Sequence, residues 1–235
     1  MFTFKQFEID DSHCGMKVGT DGVLLGAWVE CSTAASIIDA GCGSGIISLM
    51  MAQRNHCAKI IGVDIDMEAC GDAKTNVGKS PWSDRVEISC GDVLSMNRDT
   101  LPSPLLIISN PPFFNETLRS PDADRSLARH GEGFEVNSLI ELADRLISTP
   151  EDTLAFIAPA SRIDEIEFQL SLHRLDVRRR ALVFSREGRK AMRMMFQAGR
   201  GIKEHMSDIP VIIRDFNNNL TDQYRKLTSD FYLDR

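Results

Sequence analysis

Residues 36–45 read SIIDAGCGSG, and this stretch decides the fold. An apolar run of strand length, Ser36 to Ala40, passes directly into a turn with glycine at every second position. Glycines let the backbone turn tightly and let a ligand approach the main chain without interference from a Cβ atom. A helix is expected to follow from Gly45 to Gln53. The stretch therefore predicts a strand, a ligand-binding turn and a helix, which is the first unit of an α/β fold.

The spacing of the glycines in this turn indicates the charge of the ligand. A dinucleotide-binding turn has the pattern G-x-G-x-x-G, which would place its third glycine at position 46. The third glycine is Gly45 instead, and an acid, Asp39, precedes the first one, Gly41. A pyrophosphate prefers a helix N-terminus free of fixed negative charge. The turn therefore favours a cationic ligand with an ammonium group, such as S-adenosylmethionine, and disfavours a nicotinamide oxidoreductase.

Strand-like and helical runs alternate over most of the chain, which predicts a mostly parallel sheet with helices on both faces. The expected strands are 36–40, 59–64, 85–89, 105–110 and 153–158, followed by a closing antiparallel hairpin of 177–184 and 192–198. The expected helices are 45–53, 67–77, 138–147, 162–172 and 224–233. The fold class is therefore α/β, a doubly wound seven-stranded sheet. We expect one domain, 1–235, with an N-terminal extension (1–30), a Rossmann-like core (31–200) and a C-terminal tail (201–235).

Acidic residues follow the next two strands. Asp64 ends the second strand, where a carboxylate can accept hydrogen bonds from ribose hydroxyls. Asp92 follows the third strand, where a carboxylate can accept from an adenine amino group. Each acid has an alternative structural role, because Asp64 could cap the next helix and Asp92 could form a turn. Asp66 is the better candidate for that N-cap, which leaves Asp64 for a ligand.

Residues 105–113 read LLIISNPPF, so an apolar strand runs straight into two prolines. Proline fixes φ and cannot donate a backbone hydrogen bond, so the pair ends the strand and stiffens the turn. Asn110 is then held at the carboxyl end of a parallel strand, where open α/β sheets bind ligands. Its side-chain carbonyl and the flat ring of Phe113 suit a planar group that carries an amino nitrogen. A nucleobase or an amide is the expected substrate.

The composition is that of a globular protein, with 235 residues, 43% hydrophobic and 26% charged. The N-terminus lacks a basic region followed by an apolar run, so no signal peptide is expected. No segment approaches about 18 uninterrupted apolar residues, so no membrane span is expected. The six cysteines form no CxxC pair, which favours a reduced, cytoplasmic protein without a structural metal site.

The charge is unevenly distributed. The formal net charge is −7, but the segment 173–203 holds ten Lys or Arg residues against two acids. A basic segment on an acidic body is typical of a surface that binds a polyanion. A solvated hairpin face is the alternative interpretation of the same segment.

The motifs together resemble the class I S-adenosylmethionine-dependent methyltransferases over roughly residues 15–200. NPPF at 110–113 is similar to the [DNS]-PP-[YFW] motif of enzymes that methylate planar amino nitrogens. MKVGTDGVLLGAW at 16–28 and ARH at 128–130 resemble the bacterial tRNA1(Val) adenine-N6 methyltransferases. That family modifies the adenine at position 37 of its tRNA, next to the anticodon.

The resemblance implies a role for each site residue. The methionine part of S-adenosylmethionine would be lined by Asp39, Gly41, Gly43 and Gly45, and Lys17 and Thr20 would complete the cofactor pocket. A structural cap on a helix starting near Asp21 is the alternative for the last two. Asp64 would hold the ribose and Asp92 the adenine, while Asn110, Pro111 and Phe113 would hold the target base, with Asn110 also beside the cofactor. RNA contacts would come from Arg125, Arg129, Arg178, Arg179 and Arg180.

The resemblance also implies a monomer that binds tRNA and needs no metal. Two kinds of alternative share some of these features. Another methyltransferase with the same tetrapeptide would act on guanine N2, DNA adenine or a protein glutamine. A nucleotide-binding module without catalysis would keep the fold but would not need Asn110.

Overall fold

The computed structural model describes residues 1–99, 101–112, 135–201 and 209–233. The central sheet of the fold has eight strands, which are β3 (Ser36–Ala40), β4 (Lys59–Asp64), β5 (Val86–Cys90), β6 (Leu105–Ser109), β7 (Thr153–Pro159), β8 (Asp176–Phe184), β9 (Arg193–Gly199) and β10 (Val211–Ile212). Their order across the sheet is β10-β8-β9-β7-β6-β3-β4-β5. All neighbours pair in parallel except β9, which is antiparallel to both β7 and β8. The doubly wound sheet with a closing hairpin is confirmed.

Helices cover both faces of this sheet. They are α1 (Thr20–Trp28), α2 (Ile46–Arg54), α3 (Met67–Lys79), α4 (Val136–Leu146), α5 (Ile163–Leu172) and α6 (Asp222–Thr228). One hydrophobic layer joins α1, α2, α3 and α6 to the sheet, and the other joins α4 and α5 to the opposite face. Adjacent residues of β3 serve different layers, since Ile37 lies in the first and Ile38 in the second. This alternation follows from the two-residue period of a strand.

The central strands are buried on both faces, as their apolar sequences predict. Every residue of β3 and of β6 is buried. A parallel strand covered by helices on both sides needs an almost continuous apolar run. Near the hairpin, Phe156 of β7 stacks on Phe196 of β9 with ring centroids 5.3 Å apart. The core therefore extends without interruption from the central strands into the hairpin.

The C-terminal part differs from the expectation in two ways. An eighth strand, β10, pairs in parallel with the edge strand β8 through Val211 and Ile212. A two-residue strand carries no periodic pattern, so seven strands were predicted. The last helix covers Asp222–Thr228 and not 224–233, because the Thr221 hydroxyl accepts from Tyr224 N and fixes an earlier start.

The N-terminal residues pack against the rest of the fold. A short hairpin pairs β1 (Phe2–Thr3) with β2 (Glu8–Ile9). Its ring Phe4 stacks on Tyr232 with centroids 5.8 Å apart, which joins both ends of the chain. Within the described ranges, no helix is both long enough and apolar enough to cross a membrane.

Candidate active site

The order of the strands identifies where the sheet can bind a ligand. The chain runs from β3 outward to β4 and β5, and then returns to place β6 on the other side of β3. β3 and β6 therefore flank the point at which the strand order reverses. Ligands of open α/β sheets bind in the crevice outside the carboxyl ends of the strands at such a point. The glycine turn follows β3 and Asn110 follows β6, so the topology brings both predicted motifs to this crevice.

The three glycines of the turn all have positive φ. The φ angles are 72° at Gly41, 53° at Gly43 and 79° at Gly45, which L side chains rarely adopt. A Cβ atom on Gly45 would lie 3.4 Å from the Cβ atom of Ala73, so this glycine lets α2 approach α3. A Cβ atom on Gly43 would have no neighbour within 4 Å. Gly43 therefore has open space beside its backbone, where a ligand can approach.

Asp39 lies beneath this turn and is fully buried. Its Oδ2 accepts from the backbone N of Ser48 at 2.9 Å and from the Ser48 hydroxyl at 2.7 Å. Ser48 is in the first turn of α2, where backbone N–H groups have no partner within the helix, so Asp39 satisfies one of them. Burial raises the pKa of Asp39 to about 7. Its Oδ1 is buried and has no hydrogen-bond partner among the described residues.

Asp64 connects the glycine turn to the start of α3. Its Oδ2 accepts from Gly43 N at 2.7 Å, and its Oδ1 accepts from Asp66 N at 2.9 Å. Asp66 is the N-cap of α3, because its side chain accepts from Glu68 N and Ala69 N. The prediction that Asp66 rather than Asp64 caps the helix is confirmed. Asp64 is partly exposed, and each carboxylate oxygen keeps acceptor capacity for a ligand.

Asp92 follows β5, the strand next to β4. Its Oδ1 accepts from Leu94 N at 2.9 Å and so caps a short 3-10 helix, Val93–Ser95. The side chain is nevertheless exposed at the carboxyl edge of the sheet. The structural role that the sequence left open is thus present, and the second carboxylate oxygen remains available.

Asn110 and Pro111 occupy the crevice between β6 and the glycine turn. Ser109, which precedes them, donates from its hydroxyl to the backbone O of Ala40 at 2.6 Å and so ties the ends of β6 and β3 together. The side-chain Nδ2 of Asn110 donates to the sulfur of Met16 at 3.7 Å. Its Oδ1 is buried without a partner in the described part of the chain. Pro111 is buried, as expected for a stiff support.

Three buried acceptors at the carboxyl edge of the sheet therefore lack donors among the described residues: Oδ1 of Asp39 and Oδ1 of Asn110 in the crevice, and Oδ1 of Asn137 in the first turn of α4. Buried polar atoms in native proteins are almost always paired, so unpaired ones indicate a missing donor. An ammonium group and an aromatic amino group are such donors. The donor requirement, together with the open space at Gly43, fits S-adenosylmethionine and an amino-bearing base.

The N-terminal residues expected to complete the cofactor pocket, together with the neighbouring Asp21, make different kinds of contact. Lys17 donates from Nζ to the backbone O of Ser12 at 2.9 Å, so its ammonium group closes a loop of its own segment. Thr20 is the first residue of α1, whose N-cap, Gly19, makes no side-chain capping bond. Asp21 forms an ion pair with Arg193 at 2.7 Å, which joins α1 to the start of β9.

A clamp between the N-terminus and α3 was not predicted from the sequence. Asp72 of α3 accepts from the backbone N of His13 and from its Nδ1, both at 2.8 Å. The bond from Nδ1 and the negative charge of Asp72 raise the pKa of His13. Asn76 donates from Nδ2 to the backbone O of Asp10 and of Ser44, so it links the N-terminal segment to the glycine turn. These contacts join residues far apart in sequence. The only sequence signal for them is that α3 has polar residues, Asp72 and Asn76, on its buried side.

Arg178 and Arg179, two of the expected RNA contacts, make bonds within the protein; Arg178 is buried and Arg179 is half-buried. Arg178 is 6% exposed and donates to the backbone O of Pro150 and of Arg200. Arg179 donates to the backbone O of Trp28, and its guanidinium group lies 4.5 Å from the centre of the Trp28 ring. Both charges therefore serve contacts within the protein. Arg180 is partly exposed and forms an ion pair with Glu167.

Some predicted site residues lie outside the described residues. They are Phe113 of the target-base site and the RNA-binding candidates Arg125 and Arg129. Among the residues that the structure describes, no group of three or more His, Cys, Asp or Glu side chains is arranged to hold a metal ion.

Comparisons with known proteins identify the family of the chain. The sequence pattern of the methyltransferase small domain matches residues 12–133. The chain is 36% identical to a tRNA1(Val) (adenine(37)-N6)-methyltransferase of Phocaeicola vulgatus and 37% identical to one of Aeromonas hydrophila. Both alignments cover 99% of this chain and 97% of the relative.

Solved structures at low identity support the fold alone. An O-methyltransferase predicted in Agrobacterium tumefaciens superposes with a TM-score of 0.69 at 20% identity, over 90% of this chain and 96% of that chain. Precorrin-6y C5,15-methyltransferase of Geobacter metallireducens superposes with a TM-score of 0.51 at 14% identity, over 83% and 94% of the two chains. The fold, the motifs and the full-length relatives together show that the chain belongs to the bacterial tRNA1(Val) (adenine(37)-N6)-methyltransferase family.

Proposed function

We propose that this protein transfers a methyl group from S-adenosylmethionine to the exocyclic N6 of adenine 37 in tRNA1(Val). The observation that carries the proposal is the Oδ1 atom of Asn110, a buried acceptor without a partner among the described residues at the carboxyl end of β6. The curated relatives, which match nearly the whole chain, act by their names on the same nucleotide. A planar amino group is the donor that this acceptor suits best.

The cofactor would be held by residues at the carboxyl ends of β3, β4 and β5. Asp39 would face the ammonium group, while Gly41, Gly43 and Gly45 would let the methionine part lie against the backbone. Asp64 would accept from the ribose hydroxyls and Asp92 from the adenine. Lys17 and Thr20 would close the pocket from the N-terminal side. When bound, S-adenosylmethionine supplies a sulfonium-activated methyl group, which is a strong electrophile.

The amino nitrogen of adenine is a poor nucleophile, because its lone pair is delocalised into the ring. Asn110 Oδ1 and the backbone carbonyl of Pro111 would both accept from this amino group. Two acceptors on one side favour a pyramidal nitrogen whose lone pair points away from them. Because the methyl donor is already activated, alignment is the main requirement, and no strong base is needed.

The target adenine must leave its stack to reach Asn110, which costs least in a loop of RNA. Phe113 would stack on the exposed base, a contact that contributes about 1–3 kcal/mol in single-strand binders. Arg125 and Arg129 would contact the RNA backbone beside it. We further propose that the protein acts in the cytoplasm as a monomer of one domain and needs no metal.

The experiment is transfer of labelled methyl groups to total tRNA from cells that lack this protein, followed by mapping of the modified nucleoside. N6-methyladenosine at position 37 of tRNA1(Val) is the expected product. N2-methylguanosine, or a labelled protein glutamine in the corresponding lysate, would instead support another member of the same motif class. Absence of any labelled product would contradict the proposed reaction.

A further inference from the structure

Two exposed turns lie at the same edge of the sheet as Asn110. β8 runs in the same direction as β6 and β7, since both β7 and β8 are antiparallel to β9. The turn 185–192 therefore leaves β8 at its carboxyl end. β10 is parallel to β8, so the turn 214–219, which follows it, emerges at the same edge. We call these two turns together the basic ridge.

The two turns of the basic ridge are in direct contact. The backbone N of Glu187 donates to the backbone O of Arg214 at 2.8 Å. Gly188 has a φ of 75°, and a Cβ atom there would lie 3.0 Å from the ring of Phe216. The ring of Phe216 thus packs directly on the backbone of Gly188, where the side chain of any other residue would crowd the ring. The ridge is one packed unit and not two independent loops.

The charge of the ridge is positive on an acidic protein. Arg186, Arg189 and Lys190 have no hydrogen-bond or ion-pair partner for their side chains among the described residues, and the last two are exposed. Of its two acids, Asp215 is occupied by bonds to Asn219 and Glu187 is exposed. The whole chain has a formal net charge of −7, so this edge contrasts with the average surface. Unpaired cations at one edge of an acidic body attract a polyanion.

Phe216 adds a second feature to this surface. The residue is 69% exposed although its ring packs on Gly188, so an aromatic face is both fixed and open to solvent. Proteins that bind single-stranded nucleic acid combine cations that follow the backbone with aromatic rings on which bases stack. A lone exposed aromatic residue would be ordinary. Beside three unpaired cations it has the composition of a nucleic-acid platform.

The distance from Asn110 suits a continuous RNA strand. Three strand spacings separate β6 from β8, and a fourth leads to β10. At about 4.8 Å per spacing, the ridge lies roughly 14–19 Å from the end of β6. That is a span of a few nucleotides at the same edge of the sheet.

We propose that the basic ridge binds the RNA strand that flanks the target adenine, with Arg186, Arg189 and Lys190 on phosphates and Phe216 on a base. This inference rests on the proposed function, because it takes RNA as the substrate. It also reassigns the RNA contacts that the sequence placed on Arg178 and Arg179. The basic segment 173–203 thus still supplies the proposed RNA-binding cations, but from its turn, 185–192, and not from the strand β8.

The experiment measures binding of an unmodified tRNA1(Val) transcript to the full chain over a range of salt concentrations. The double variant R189A/K190A should bind about tenfold or more weakly at low salt, and the slope of log K against log salt should fall by about 1 to 2. F216A should also bind about tenfold more weakly, but with the wild-type slope, because stacking releases no counterions. Calorimetric affinity for S-adenosylmethionine should be unchanged in all these variants.

The matched control is K74A/K79A, which removes two exposed lysines that form no ion pair within the described ranges. Both belong to α3, the helix that packs on β4 and β5 at the other end of the sheet. It should bind RNA like the wild type. If R189A/K190A and F216A bind within twofold of a wild type that methylates this tRNA, the ridge inference is wrong and the proposed function stands. If the wild type methylates no RNA, the proposed function fails and the ridge inference with it.

Discussion

The amide of Asn110 donates from Nδ2 to the sulfur of Met16 at 3.7 Å. An amide whose nitrogen is held on one side presents its carbonyl oxygen on the other. Met16 therefore orients Oδ1 of Asn110, the acceptor that the proposed reaction needs. The contact also links the N-terminal segment to a strand end 94 residues further along the chain.

Replacing Met16 with Leu should lower the single-turnover rate of methyl transfer about 2- to 3-fold, the low end for one net hydrogen bond, because a thioether is a weak acceptor. The two side chains are similar in size, so only the acceptor is lost. Affinity for S-adenosylmethionine should stay within about twofold. Met16→Gln restores an acceptor and should recover part of the rate. A Met16→Leu enzyme with the wild-type rate would show that Met16 does not position Asn110.

Replacing Asp39 with Asn should stabilise the free protein above neutral pH. The pKa of Asp39 is about 7 in the folded state, against an ordinary value of 3.8. The folded state thus holds a proton that the unfolded chain has lost, so the contribution of Asp39 to stability is fully present below about pH 4 and is lost as pH rises to about 7. The gain from D39N should therefore grow across this window and reach about 1–3 kcal/mol, reduced by the unpaired amide N–H. Urea unfolding at several pH values measures it.

The same variant tests the role of Asp39 towards the cofactor. If its Oδ1 faces the ammonium group, D39N should weaken binding of S-adenosylmethionine about tenfold or more while the apoprotein becomes more stable. Calorimetric titration at pH 8 gives the affinity. An unchanged affinity would restrict Asp39 to supporting Ser48 and the first turn of α2.

Replacing Arg178 with Ala should destabilise the fold without altering RNA binding at a temperature where the variant is folded. The side chain is buried and donates to the carbonyl groups of Pro150 and Arg200, which would lose their partners. A loss of about 2–4 kcal/mol is expected. Arg189→Ala is the control, since its exposed side chain should not change the unfolding free energy. If RNA binding by R178A depends less on salt than binding by the wild type, Arg178 contacts a phosphate despite its burial, and this prediction is wrong.

The sequence was most informative where local patterns and fold agree. β3 and β4 have the predicted bounds, because a short apolar run that ends at a glycine or an acid shows where the strand stops. The crevice was also predictable, because parallel strands bring their carboxyl ends together. Asp66 as the N-cap of α3 follows from the chemistry of a single side chain.

Contacts that depend on tertiary packing could not be predicted. The run Arg178-Arg179-Arg180 lies in a strand next to β9, so its side chains cannot all face solvent. Arg178 reaches carbonyl groups 22 and 28 residues away, which no local pattern reveals. The pairing of His13 with Asp72 spans 59 residues and is hidden for the same reason. The two-residue strand β10 is fixed by the edge of β8 and not by its own sequence.

In the proposed reaction Asn110 holds the amino group of the target adenine, and the single-turnover rate of Asn110→Ala on tRNA1(Val) tests this role most directly. We expect a loss of at least about 100- to 1,000-fold, the scale seen when one hydrogen-bonding group at a reacting centre is removed. Calorimetric affinity for S-adenosylmethionine should remain within a few-fold of the wild type, which separates chemistry from cofactor binding. A variant that methylates adenine 37 at a rate within tenfold of the wild type would contradict this role.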